Sequence, residues 1–246
     1  MTKKHFIIGL ITILIIIGLG ISFKIVLDFN HETKIKNEVK EIKNAFDSNN
    51  FENINEIFDR RLIQTGHYAE VEKSIKLYYK NLYSSLDNIN FLFDEDNFNS
   101  YLTGKNINDD KPTFIKSKNN LQNSKAQIEE CYNKFLEELN NNSNKAAYIT
   151  NKEMTKYYQN FFFELTNLAI SDEFKEKVND NYKSTLDKIS IYNEAFDFLA
   201  TNKGHWAIQN EAIVFDDTII YEEYVNITKK LNPSLSDENK EEVSEN

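Results

Sequence analysis

Phe6 to Phe23 is apolar except for Thr12 and Ser22, and the run resumes after Lys24 with Ile25, Val26 and Leu27. A helix needs about 20 such residues to cross a hydrocarbon core. A chain that opens this way either spans a membrane or is cleaved at one. Lys3 and Lys4 precede the run, as in the basic start of a secretion signal. The apolar part of a cleaved signal is only about 7–15 residues long and ends at a small-x-small site. Gly18-Leu19-Gly20 is the best candidate for such a site, and the apolar run continues past it. The expectation is an uncleaved transmembrane anchor over residues 6–27, lying in the lipid bilayer, behind a cytoplasmic stub at residues 1–5.

Orientation follows from the flanks. Lys24, Lys34 and Lys36 lie beyond the run, so a literal count of positive charges favours an external N-terminus. The basic stub before an apolar run is nevertheless how export begins, and long domains translocate largely regardless of charge. The chain is therefore read with its N-terminus in the cytoplasm and its bulk outside. Lys outnumbers Arg by 27 to 2, with Asn and Ile abundant, and all three have AT-rich codons. An AT-rich bacterium is the expected source, which makes the outside face a cell envelope.

Composition narrows the fold. Two Pro and six Gly in 246 residues leave too few turn residues for an all-β sandwich. Thirteen Tyr and eighteen Phe argue against wholesale disorder. Acidic residues exceed basic ones by 39 to 29, so no nucleic-acid partner is expected. Cys131 is alone, which excludes an intramolecular disulfide. It falls on the helical stripe Ile128, Cys131, Phe135, Leu139 and is read as a small buried residue.

After the anchor, helical periodicity dominates. Ile35, Val39, Ile42 and Phe46 form one stripe, which Asn49-Asn50 interrupts. Phe51, Ile54, Ile57 and Phe58 begin a second helix, ended by Thr65-Gly66. Tyr68, Val71, Ile75, Tyr78, Leu82, Leu86 and Ile89 mark a long third. Gly104 to Lys111 lacks periodicity, is rich in Asn and Asp, precedes Pro112 and reads as a loop. A fourth helix is expected from Phe114 to Leu139 and a fifth from Lys145 to Ile170, the latter with Met154, Tyr158, Phe161, Leu165 and Leu168 on one face. Ser171-Asp172-Glu173 has the form of an N-cap with first-turn acids, opening a sixth helix that stops near Gly204.

From His205 the period changes to two. Trp206 and Ile208 alternate with Ala207 and Gln209, Ile213 and Phe215 alternate with Ala212 and Val214, and Asn210-Glu211 is the length of a hairpin turn. That turn pairs Gln209 with Ala212, Ile208 with Ile213 and Trp206 with Phe215. Trp206 and Phe215 then anchor a small β-hairpin (205–215) as a lid on the helices, since two strands are marginal alone. Asp216 or Asp217 caps a last helix through Ile220, Tyr224, Ile227 and Leu231. The fold class is thus mainly α: an N-terminal transmembrane helix, then a multi-helix bundle over 31–231 with one hairpin. The acidic tail 232–246, with five acids against Lys240, is expected to be disordered.

Chemical motifs are sparse. His5, His31, His67 and His205 are scattered. His67 and Glu70 stand one helical turn apart, too few ligands for a site. Asn106-x-Asn108-x-Asp110 has the start of a calcium loop, but Lys111 replaces the required Gly and Ser117 the twelfth-position Glu. Phosphate-cradling Gly loops and nucleophile elbows do not occur. Glu129/Glu130, Glu137/Glu138 and Asp216/Asp217 are adjacent pairs that diverge on a helix. No catalytic residue, cofactor or metal is assigned. The aromatic clusters Tyr78-Tyr79, Tyr157-Tyr158 and Phe161-Phe162-Phe163 supply core residues, and consecutive rings cannot all share a stripe. Tyr79, Tyr157 and Phe162 are the candidate partner contacts.

Two classes of function fit these features. The first is a membrane-anchored extracytoplasmic interaction protein that binds another envelope or secreted protein. The second is an envelope hydrolase with a non-contiguous carboxylate site. An extracytoplasmic sensor or accessory subunit is a further alternative, for which the short stub leaves no room for an output domain.

Overall fold

The structure, a computed structural model, describes the backbone of residues 3–48, 51–52, 54–94 and 97–231, and the side chains of these except 3–16 and 18–20. The stub, most side chains of the expected anchor, the Asn49-Asn50 break and the tail 232–246 therefore lie wholly or largely outside the described residues. Among the described residues no helix is long and apolar enough to cross a membrane.

The chain is mainly helical, with one antiparallel two-stranded hairpin near its C-terminus. The elements are α1 (Lys3–Asp47), α2 (Ile54–Asp59), α3 (Gly66–Phe93), α4 (Gly104–Asp110), α5 (Ile115–Asn140), α6 (Asn142–Ala147), α7 (Lys156–Thr166), α8 (Asp172–Thr201), β1 (Trp206–Gln209), β2 (Ala212–Phe215) and α9 (Thr218–Thr228), closed by a 3-10 turn at Lys229–Leu231. Residues 31–231, expected as one domain, belong to two compact units. Unit 1 holds Met1–Tyr83 and Asn140–Lys175, and unit 2 holds Ser84–Leu139 and Glu176–Asn246.

In unit 1 the stripe Ile35, Val39, Ile42 and Phe46 of α1 is buried, as its period requires. Ile54, Ile57 and Phe58 of α2 and Tyr68, Val71, Ile75, Tyr78 and Leu82 of α3 close the same core. Each such side chain contributes about 1.5–3 kcal/mol on full burial. Thr65-Gly66 does not end the second helix. That helix stops at Asp59, and Gly66, at φ +60°, opens α3.

The expected fifth helix is two. Asn141 caps α6, its side chain accepting from the backbone N–H of Ser143 and Asn144. After Ala147 the chain turns: Asn151 Oδ1 accepts from Glu153 N–H at 2.9 Å and the Asn151 carbonyl from Met154 N–H at 3.2 Å. This local competitor to helix interrupts a pattern that remains periodic across the gap. Met154, Phe161 and Leu165 are buried as expected, whereas Leu168, just past the end of α7, is exposed. Ser171 caps α8, its hydroxyl accepting from Phe174 N–H at 3.1 Å.

In unit 2, the segment expected as a loop is α4. Thr103 is its N-cap, accepting from Asn106 N–H, and Ile107 is fully buried. A single apolar residue in seven leaves no period to read. α5 then starts where Asp110 accepts from the N–H groups of Lys116 and Ser117. Burial opposes ionisation of Asp110, but these bonds outweigh it and lower its pKa.

The hairpin has the expected register: Trp206↔Phe215, Ile208↔Ile213 and Gln209↔Ala212. Asn210 and Glu211 both have positive φ (51° and 65°), the geometry of a type I′ turn. Trp206, Ile208, Ile213 and Phe215 are half-buried against a core that includes Phe114, Phe196, Leu199 and Tyr224. Trp206 Nε1 donates to the Leu199 carbonyl at 2.7 Å, and its ring stacks on Phe114. Asp217 is the cap of α9, accepting from Ile219 and Ile220 N–H.

Candidate functional site

Two helices of unit 1, and the loop between α2 and α3, converge on a buried ionic cluster. Glu38 of α1 and Glu72 and Lys76 of α3 are each at most 5% exposed. The Lys76 ammonium lies 3.0 Å from Glu72 and 3.1 Å from Glu38, and donates to the Arg60 carbonyl at 3.0 Å. Glu72 also accepts the backbone N–H of Ile63 and Gln64, so it clamps the loop that leads into α3. One cation thus serves two carboxylates. Glu72 holds the better hydrogen bonds, while Glu38 Oε1 has no hydrogen bond of good geometry despite its closeness to Lys76. Burial raises the Glu38 pKa, Lys76 opposes that, and the nearby Glu72 charge adds to it.

The clamped loop brings Gln64 to His31 of α1, 2.5 Å from Nδ1. His31 stacks on Tyr68, whose hydroxyl donates to Glu32 at 3.3 Å. The Tyr157 hydroxyl, from the start of α7, donates to the same Glu32 oxygen. Tyr158 packs edge-on against Tyr68 at 5.0 Å and beside His67 at 5.1 Å. The N-terminal ends of α3 and α7 therefore meet α1 at residues 31–32, where α1 leaves its apolar segment. Burial raises the Tyr68 and Tyr158 pKa values, and the Tyr157 bond to Glu32 raises its own. The phenols of Tyr68 and Tyr157 act as donors to Glu32. Leu62, Ile63 and Tyr157 are exposed in this region.

Of the sequence-predicted contacts, only Tyr157 is on the surface. Tyr79 and Phe162 are fully buried, so the expectation that they face a partner is corrected. The Tyr79 hydroxyl donates to the Leu165 carbonyl at 2.7 Å and accepts from Ala169 N–H, satisfying backbone groups freed where α7 ends. α3 is covered on two sides here, which is why Tyr78 and Tyr79 are both inside. Lys145 is another buried group that sequence reasoning missed. It donates to Asn167 Oδ1 at 2.7 Å, lies over the Tyr78 ring, and has its pKa lowered by burial.

In unit 2 the calcium-like residues serve the backbone: Asn106 donates to the Tyr101 carbonyl and to Ser117 Oγ, and Asp110 caps α5. Cys131 is half-buried rather than buried. A cleft of about 420 Å³ lies where the hairpin turn meets α4, with Leu102, Lys105, Ile213 and Tyr224 on its walls. Burial pushes the Tyr224 phenol up to about 12. Among the described residues no group of three or more His, Cys, Asp or Glu is placed to hold a metal.

Comparison with protein-family models, with curated proteins and with solved structures finds no match to this chain.

Proposed function

We propose that the chain is a single-pass membrane protein of a bacterial envelope, with its N-terminus in the cytoplasm and its helical region outside, where it binds another envelope or secreted protein. One observation carries the anchor. α1 is continuous from Lys3 to Asp47, with a buried stripe from Ile35 onward and exposed apolar residues before it. Ile17, Ile21, Phe23, Ile25, Val26, Leu27 and Phe29 are 41–71% exposed. At 100° per residue Ile25, Val26 and Leu27 point in three directions, so this part of the helix is apolar except on the face of Lys24 and Asp28. So broad an exposed apolar surface calls for lipid or protein around it.

The interaction reading draws on α9, whose core face carries Tyr224. Its other faces expose Ile219, Tyr221 and Val225, with Val214 exposed on the outer side of the hairpin. Apolar residues on the solvent side of a short helix are candidate protein contacts. The hydrolase alternative gains nothing from Glu38 and Glu72, because their oxygens face Lys76 and backbone amides. A phosphatase that is active only outside the cytoplasm, fused after Asn246, tests the topology and should be active in cells. A photo-crosslinking residue at Ile219 tests the contact: it should give one discrete protein adduct that the same probe at Lys183 does not. An inactive fusion, or identical adducts at both positions, would count against the proposal.

A further inference from the structure

The tyrosine–histidine cluster at residues 31–32 sits at a defined height above the apolar segment. His31 is four residues beyond Leu27, about 6 Å along the helix. One headgroup layer is about 5–7 Å deep, the difference between the whole bilayer and its hydrocarbon core shared over two sides. Whatever is tied to His31 and Glu32 is therefore held at the level of lipid headgroups once residues 6–27 span the core. Three separate chain segments are so tied: the loop at Gln64, the start of α3 at Tyr68 and the start of α7 at Tyr157.

The exposed residues there have the chemistry of that layer. Tyr157 is 55% exposed with its hydroxyl on Glu32, and Leu62 and Ile63 present aliphatic surface on a loop whose backbone Glu72 fixes. Tyr at the membrane–water boundary places its apolar body inward and its polar tip at the headgroups. Phe29, 71% exposed on α1, lies between the apolar segment and the cluster. We infer that Leu62, Ile63 and Tyr157 form a collar seated in the phospholipid headgroup layer, so that unit 1 rests on the bilayer instead of standing off on α1 as a free stalk. This rests on the anchored reading above. The ionic cluster of Glu38, Glu72 and Lys76 then has a role in it, which is to hold the loop bearing Leu62 and Ile63 against α1.

Depth-dependent quenching tests the inference in the full chain, reconstituted in phosphatidylcholine vesicles brominated near the headgroup end of the acyl chains. With Trp206→Phe removing the native fluorophore, single tryptophans are placed by Phe23→Trp, Ile63→Trp, Tyr157→Trp and Leu77→Trp. Leu77 is exposed on α3, nine residues beyond Tyr68 and so about 14 Å further along. The collar predicts quenching several-fold stronger at positions 63 and 157 than at 77, with blue-shifted emission at both. Quenching at 23 with none at 63 and 157 overturns the collar and leaves the anchor standing. No quenching at 23 overturns the anchor, and the collar with it. If Trp206→Phe loosens the fold, nitroxides on cysteines at the same positions in Cys131→Ser read the same depths.

Discussion

Gly104 opens α4, a place where alanine is the better helix former by up to about 1 kcal/mol. Propensity alone predicts that Gly104→Ala stabilises the chain. Space predicts the reverse. A Cβ at position 104 would lie 2.1 Å from the Glu211 carbonyl oxygen, 2.5 Å from its carbon and 2.9 Å from its Cα. Ordinary contact begins near 3.4 Å, so the two backbones must part by more than 1 Å. The obstacle is the middle of the type I′ turn, with no flexible side-chain tip to yield. Overpacking of this kind costs about 1–3 kcal/mol, which matches or exceeds the gain in propensity and leaves a net loss of up to about 2 kcal/mol. The displaced turn belongs to the hairpin that carries Trp206, the sole tryptophan, so emission reports the movement directly. Urea unfolding of the full chain in mild detergent, followed by far-ultraviolet circular dichroism, should show a lower midpoint. Native-state Trp206 emission should shift to the red. A midpoint at or above that of the parent, with unchanged emission, would refute the close approach of the turn to α4.

Trp206→Ala should cost about 2–3 kcal/mol in the same assay, below the 3–5 typical of a fully buried ring because Trp206 is half-buried; no measurable cost would show that the ring is not an anchor. Asp217→Ala, which removes the acceptor for Ile219 and Ile220 N–H, should cost about 1 kcal/mol, and an unchanged midpoint would remove the cap. Glu38 has a folded pKa above its unfolded value, so its contribution is most favourable below the unfolded value near 4.5 and is lost as pH rises through the folded one. Glu38→Gln should therefore improve in stability relative to the parent as pH rises from 4.5 toward neutrality. A difference that stays constant over that range would mean that Glu38 titrates as it does in the unfolded chain.

The hairpin was legible because a two-residue turn fixes register, and an alternating pattern on both sides leaves one pairing that puts Trp206 and Phe215 together. The stripes of α1 and α3 were legible because each runs for several turns. α4 was not, since seven residues with one buried Ile carry no period; the Thr103 cap was the available signal. The break before α7 was hidden because Met154, Phe161 and Leu165 stay in phase across it. The burial of Tyr79 and Phe162 depends on helices being covered on two sides, a tertiary fact that one stripe does not report. The cluster at Glu32 joins Tyr68 and Tyr157 across 36 and 125 positions of sequence, and nothing local marks that meeting.

The chain is proposed to stay uncleaved in a membrane by its N-terminal segment. Intact-mass measurement of the protein recovered from alkaline-washed membranes of the expressing cells tests it most directly. The full 28.9 kDa chain should then be found in the membrane pellet. Recovery in the alkaline supernatant of a chain shortened by removal of the Phe6–Phe23 run would contradict it.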